Sequence, residues 1–181
     1  ATTEIYTLSL HDALPIFVFQ KRDLQLLGIE NNDPEKDKMD ILDKFWSLYE
    51  IMGVSMLDIS IWEWLYANPN ATAEQLKEAS ISLSKEIWNK YYAPVFGKKD
   101  ETVLAIYSHM ISYPLYLSAY AFGQIIEFQL ETYLNGKNFA QEVDRIYRLG
   151  RLTPNEWMIQ ATGNNLSVEP MIHALQKVIK K

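Results

Sequence analysis

His109, Tyr113, Tyr116 and Tyr120 fall within the single stretch His109-Met-Ile-Ser-Tyr-Pro-Leu-Tyr-Leu-Ser-Ala-Tyr120. Each can donate a hydrogen bond, and Pro114 separates the first pair from the second. Donors grouped in this way suit one kind of chemistry: they stabilise the negative charge that develops on a carbonyl oxygen when a nucleophile adds to its carbon. Tyr116 and Tyr120, at i and i+4, share one face of a helix that starts after Pro114. The same residues would also serve as core aromatics whose hydroxyls bond nearby carbonyls, in a chain that holds 11 tyrosines.

Other chemistries lack their residues. There is no cysteine, hence no disulfide framework, thiolate metal site or thiol nucleophile. That composition fits a reducing cytoplasm, the expected location. The zinc motif HExxH is absent, and the only acidic partner at i, i+4 to a histidine is Glu169 with His173, whereas a zinc ion takes at least three protein ligands. His173 is therefore read as an ordinary helix-face side chain near a first-turn glutamate. Neither a glycine-rich phosphate loop nor a nucleophile elbow is present. A formal charge of -6 without a basic cluster argues against nucleic acid as a partner. The stretch from Thr102 to Ile126 carries no Lys, Arg, Asp or Glu and is long enough to span a bilayer. Its serines, tyrosines, His109 and Gln124 would need partners in lipid, and Pro114 interrupts it. It is read as a buried polar wall inside a soluble protein, with no membrane partner.

The elements that must position these groups read as helices. Met39, Leu42, Phe45, Trp46 and Tyr49 recur at helical spacing, and Gly53 is expected to break or kink this run before Val54 to Tyr66 resumes. Phe17 to Leu27 reads as the tail of an earlier helix ending at Gly28. Thr72 with Gln75 forms a capping box for a helix running through Trp88 toward Tyr92 and stopping before Pro94. Asp100 is expected to cap a short helix toward Tyr107. A helix beginning near Leu115 should reach Leu134 and stop at Asn135-Gly136. Further helices are expected over Phe139 to Leu149, from the Thr153-Pro154-Asn-Glu156 signal to Gly163, and from Ser167 to Lys181. No strand alternation or fixed-period repeat appears, so the expected class is all-α.

His109, Pro114, Leu115, Tyr116 and Tyr120, followed by Gly123 and a long apolar helix, resemble the C-terminal catalytic segment of the oligoendopeptidase F and thimet oligopeptidase superfamily of zinc metallopeptidases. The later Arg148-Leu-Gly150-Arg-Leu-Thr153-Pro154-Asn-Glu-Trp157-Met158, then Ala161-Thr-Gly163, resembles that family's closing motif. The similarity covers most of residues 17–181. It implies the C-terminal helical part of a mostly helical catalytic domain with a deep channel, in which zinc held by HExxH and a downstream glutamate activates water against an oligopeptide bond. The oxyanion donors would be His109, Tyr120 and one or both of Tyr113 and Tyr116. Zinc is implied for the parent protein and not for this chain, which lacks HExxH and is expected to be inactive as written. Phe17-Val-Phe-Gln20 resembles the stretch just beyond the third zinc ligand, and Glu50 is a fallback candidate for that ligand.

Residues 1–16, ATTEIYTLSLHDALPI, can be written codon for codon as the forward translation of a common short-read sequencing adapter. They are expected to be an artefact, with native sequence beginning at or near Phe17, so that Glu4, His11 and Asp12 carry no functional weight and no targeting signal can be read. Without Glu4 and Asp12 the formal charge of -6 becomes -4, since the segment holds no Lys or Arg. A function of another class, a non-enzymatic helical interaction module, would rest on the aromatic surface of Trp46, Trp62, Trp64, Trp88 and Trp157.

Overall fold

The computed structural model of the protein describes residue 28 and residues 34–180. Residues 1–16, the Phe17 to Gln20 stretch and the expected helix tail before Gly28 lie outside them. All regular structure among the described residues is helical, and the class is all-α. The order is α1 (Pro34–Ala67), α2 (Ala73–Ile87), a π turn (Trp88–Tyr92), α3 (Ala93–Phe96), a 3-10 turn (Val103–Ile106), α4 (His109–Ser112), α5 (Leu117–Leu134), α6 (Phe139–Tyr147), α7 (Pro154–Thr162) and α8 (Glu169–Ile179).

The described residues form two compact units, one of Ser47–Ala121 and the other of residues 34–46 with residues 122–180. The first buries Val54 and Leu57 of α1 with Ile87, Trp88, Met110 and Leu117. In the second, Ile126, Leu130 and Leu134 recur every fourth residue along α5 and pack with Ile146, Trp157 and Met158. That spacing lines one helix face, and burial of such a face supplies most of a helix's stability. Glu127, buried in the second unit, is paired there with Lys44.

The expected break at Gly53 does not occur: α1 runs through it without interruption. The Gly53 amide donates to the Tyr92 hydroxyl at 2.8 Å, and that hydroxyl donates to the Tyr49 carbonyl at 2.6 Å. These are the two backbone groups that an α-helix pairs with each other, so Tyr92 reads the helix backbone directly. A Cβ at Gly53 would lie 2.5 Å from Tyr92 Cε2 and 2.6 Å from its Cζ. Glycine stands here for close approach rather than for flexibility.

The expected stop before Pro94 also moves. Beyond α2 the backbone widens into the π turn and continues as α3, with Pro94 in the first turn, where its fixed φ is tolerated. Gly97, at φ 71°, ends the run. Trp88 stacks on Tyr92 and on Phe96, at ring-centroid distances of 5.3 and 5.7 Å. Asp100 does not cap a helix; at φ 60° it exchanges two 2.8 Å hydrogen bonds with the Asn89 side chain, and the following 3-10 turn has no side-chain cap.

The capping box of α2 forms as expected: the Thr72 amide donates to Gln75 Oε1 at 2.9 Å and the Gln75 amide to Thr72 Oγ1 at 3.3 Å. Thr72→Ala is expected to lower stability by about 1 kcal/mol, read as a lower urea midpoint at unchanged slope. At α7 the corresponding box is incomplete, because the Thr153 hydroxyl donates to the Glu156 carboxylate at 2.8 Å instead of accepting from the helix backbone. Gly163 ends α7 in the left-handed conformation, and α6 stops at Tyr147, short of Leu149. Ser167 Oγ accepts the Glu169 amide at 3.2 Å, and the last helix begins there.

Candidate functional site

The short helix α4 begins with His109 and is closed by Tyr113, whose φ of -140° leads the chain out of the helix toward Pro114. Leu115 then takes φ 63°, a left-handed conformation uncommon for any residue with a side chain. The next helix consequently opens at Leu117 rather than near Leu115. This pair of turns brings all four candidate donors into one ring cluster. Tyr116 is central: its ring lies 6.5 Å from His109 and nearly parallel at 18°, 6.2 Å from Tyr113, and 5.3 Å from Tyr120 edge-on at 81°. His109 and Tyr113 are 6.1 Å apart.

The expectation of a buried polar wall over Thr102 to Ile126 is corrected here. Tyr113 is 63% exposed and Tyr120 48%, while Met110 and Leu117 take the buried positions beneath them. Ser108, Ser112 and Pro114 are exposed as well. The physical reason is the turn at Pro114 and Leu115, which sets the ring face outward and the aliphatic face inward. Among the described residues, the side chains of His109, Tyr113 and Tyr120 make ring contacts and no hydrogen bonds. No helix among the described residues is long and apolar enough to cross a membrane.

The inward side of the same turn rests on α1. Buried Ser55 donates to the Leu117 carbonyl at 2.9 Å. Asp58, 1% exposed, faces the backbone amides of Leu115 and Leu117 and the Trp62 indole N–H, without closing a full hydrogen bond to any of them. Burial pushes its carboxyl above the ordinary range, and the N–H groups offset only part of that rise. Ser55 and Asp58 escaped the sequence reading. The available signal was a carboxylate among Val54, Leu57, Ile61 and Trp62, its neighbours on one helix face.

The candidate metal ligands do not converge. His173 is exposed on α8, with Glu169 in the first turn of that helix. Glu50 accepts a hydrogen bond from the Tyr107 hydroxyl at 3.3 Å, and burial first, then the Glu50 charge, push that hydroxyl's pKa up. Among the described residues no three of His, Cys, Asp and Glu come together. The described residues do not form a zinc site, and none of them is assigned a metal role. Equilibrium dialysis of the purified chain is expected to find no tightly held zinc; stoichiometric zinc at submicromolar affinity would demand a site that these residues do not form.

A cavity of about 620 Å³ lies between the end of α1 and the start of α2, lined by Trp64, Asn68, Pro69, Gln75, Glu78 and Ser82. It includes none of the four donors. Of the tryptophans, Trp88 and Trp157 are core residues, Trp62 and Trp64 are half-buried and Trp46 is exposed. Comparison with known proteins adds no relative: no family model, curated protein or solved structure matches this chain.

Proposed function

We propose that this chain is the C-terminal helical part of a zinc-dependent peptidase of the oligoendopeptidase F and thimet oligopeptidase kind. In this reading His109, Tyr120 and one or both of Tyr113 and Tyr116 donate to the carbonyl oxygen of an oligopeptide as its carbon becomes tetrahedral. The observation that carries the reading is the exposed ring cluster centred on Tyr116. An oxyanion donor must be rigid and accessible before substrate arrives, because reorganising it during the reaction would consume the stabilisation it provides. Mutual ring packing supplies the rigidity, and the outward turn at Pro114 and Leu115 supplies the access. The metal and the general base belong, in this reading, to an upstream half of the parent protein. What these residues contribute is orientation of the peptide carbonyl and acceptance of its developing charge.

The test joins residues 17–181 to the upstream coding region recovered from the source DNA and assays cleavage of an internally quenched oligopeptide. Chelator-sensitive cleavage that depends on the donors supports the reading. A complete unrelated domain upstream, with no cleavage, overturns it in favour of the interaction module.

A further inference from the structure

We propose that Asp58 is the positioning residue of the tyrosine cluster: buried on α1 one turn beyond Ser55, which bonds the Leu117 carbonyl, its carboxylate holds Leu115 left-handed and so fixes the orientation of Tyr116 and Tyr120. Its catalytic consequence rests on the peptidase reading; its geometric content does not.

The argument starts from the backbone. Tyr116 lies between Leu115 and Leu117, and Tyr120 follows one helical turn later, so the two ring directions are set by how those leucines are held. Leu117 is gripped at both of its peptide groups. Ser55 takes its carbonyl at 2.9 Å, and Asp58 faces its amide. That amide opens α5, an 18-residue helix whose N-terminus carries partial positive charge, so a carboxylate is the favoured side chain opposite it. Leu115 pays a steric penalty for its φ of 63° that glycine would not, and the Asp58 carboxylate at its amide is the group placed to offset it.

The side chain is also in the wrong place for stability alone. A carboxylate 1% exposed, with neither oxygen fully hydrogen-bonded, is costly in its charged form. The Trp62 indole N–H, one turn along α1, is likewise without a closed hydrogen bond. A costly group retained beneath a strained turn, under exposed donors, is the pattern expected of a group that serves position rather than stability.

The test uses the full 181-residue chain, with 3-fluorotyrosine placed singly at Tyr116, at Tyr120 or, as control, at Tyr133, whose hydroxyl is engaged by Glu142 and Arg145. Fluorine NMR is recorded for wild type, Asp58→Asn, and Asp58→Asn with Leu115→Gly. Asp58→Asn is expected to shift the Tyr116 and Tyr120 resonances and leave Tyr133 in place, at an unchanged or higher melting temperature. Adding Leu115→Gly should bring both resonances back toward wild type, because glycine adopts the left-handed conformation without strain. Unshifted Tyr116 and Tyr120 would overturn the proposal. So would a shift that includes Tyr133 and comes with a lower melting temperature, or one that Leu115→Gly leaves unmoved. If Asp58→Asn alone does not fold, the double variant decides: wild-type-like resonances support the proposal, and failure to fold overturns it. In the chain joined to its upstream half, Asp58→Asn is expected to lower kcat roughly tenfold with KM within about twofold of wild type. Displaced tyrosines with unchanged kcat would support the positioning and count against the peptidase reading alone.

Discussion

Gly53→Ala is expected to destabilise the protein by about 3 kcal/mol, although in an exposed helix the same change would stabilise by up to about 1 kcal/mol. The sign reverses because of Tyr92. The added methyl would overlap the tyrosine ring, 2.5 Å from Cε2 and 2.6 Å from Cζ, and would displace the hydroxyl from both the Gly53 amide and the Tyr49 carbonyl. Each lost bond is worth about 1 kcal/mol, and a buried hydroxyl left unpaired costs more. The ring cannot retreat cheaply, since it stacks on Trp88 at 5.3 Å and tilts against Tyr49 at 4.8 Å. Urea denaturation of Gly53→Ala in the wild-type and Tyr92→Leu backgrounds checks the cause. With the ring removed, the substitution should become neutral or stabilising. A destabilisation that persists at full size without the ring would place the need for glycine in the backbone instead.

The same residue marks where sequence reasoning runs out. Local rules located the Thr72 cap, the Gly163 stop and the helix end at Leu134, because each depends on residues within one or two turns of one another. The expected break at Gly53 failed because the group that fills the missing side chain lies 39 residues away. Pro94 was misplaced for a related reason: only after the π turn resets the helix does that position become a tolerable first turn. At the site, the i, i+4 pairing of Tyr116 with Tyr120 was legible in the spacing. That His109 and Tyr113 join them depends on a left-handed Leu115, which leucine does not advertise. The outward orientation of the cluster follows from the same turn, and hence the expected buried wall became an exposed face.

Tyr120→Phe, in the chain joined to its upstream half, is expected to lower kcat roughly a hundredfold, about 2.7 kcal/mol of transition-state stabilisation, with KM within about threefold. The split follows from what the hydroxyl meets: a ground-state carbonyl needs little from it, whereas the charged oxygen of the tetrahedral intermediate needs a donor at hydrogen-bond distance. The substitution is a clean one in this fold. It keeps the ring that meets Tyr116 edge-on at 5.3 Å, and it removes a hydroxyl from a half-exposed side chain without internal hydrogen bonds among the described residues. The melting temperature should therefore not change, which separates lost chemistry from lost structure. His109→Ala should also lower kcat, but it removes the ring stacked on Tyr116 at 6.5 Å and so mixes donation with positioning. An unchanged kcat in both variants would return His109 and Tyr120 to the role of aromatics that steady their neighbours in the ring cluster.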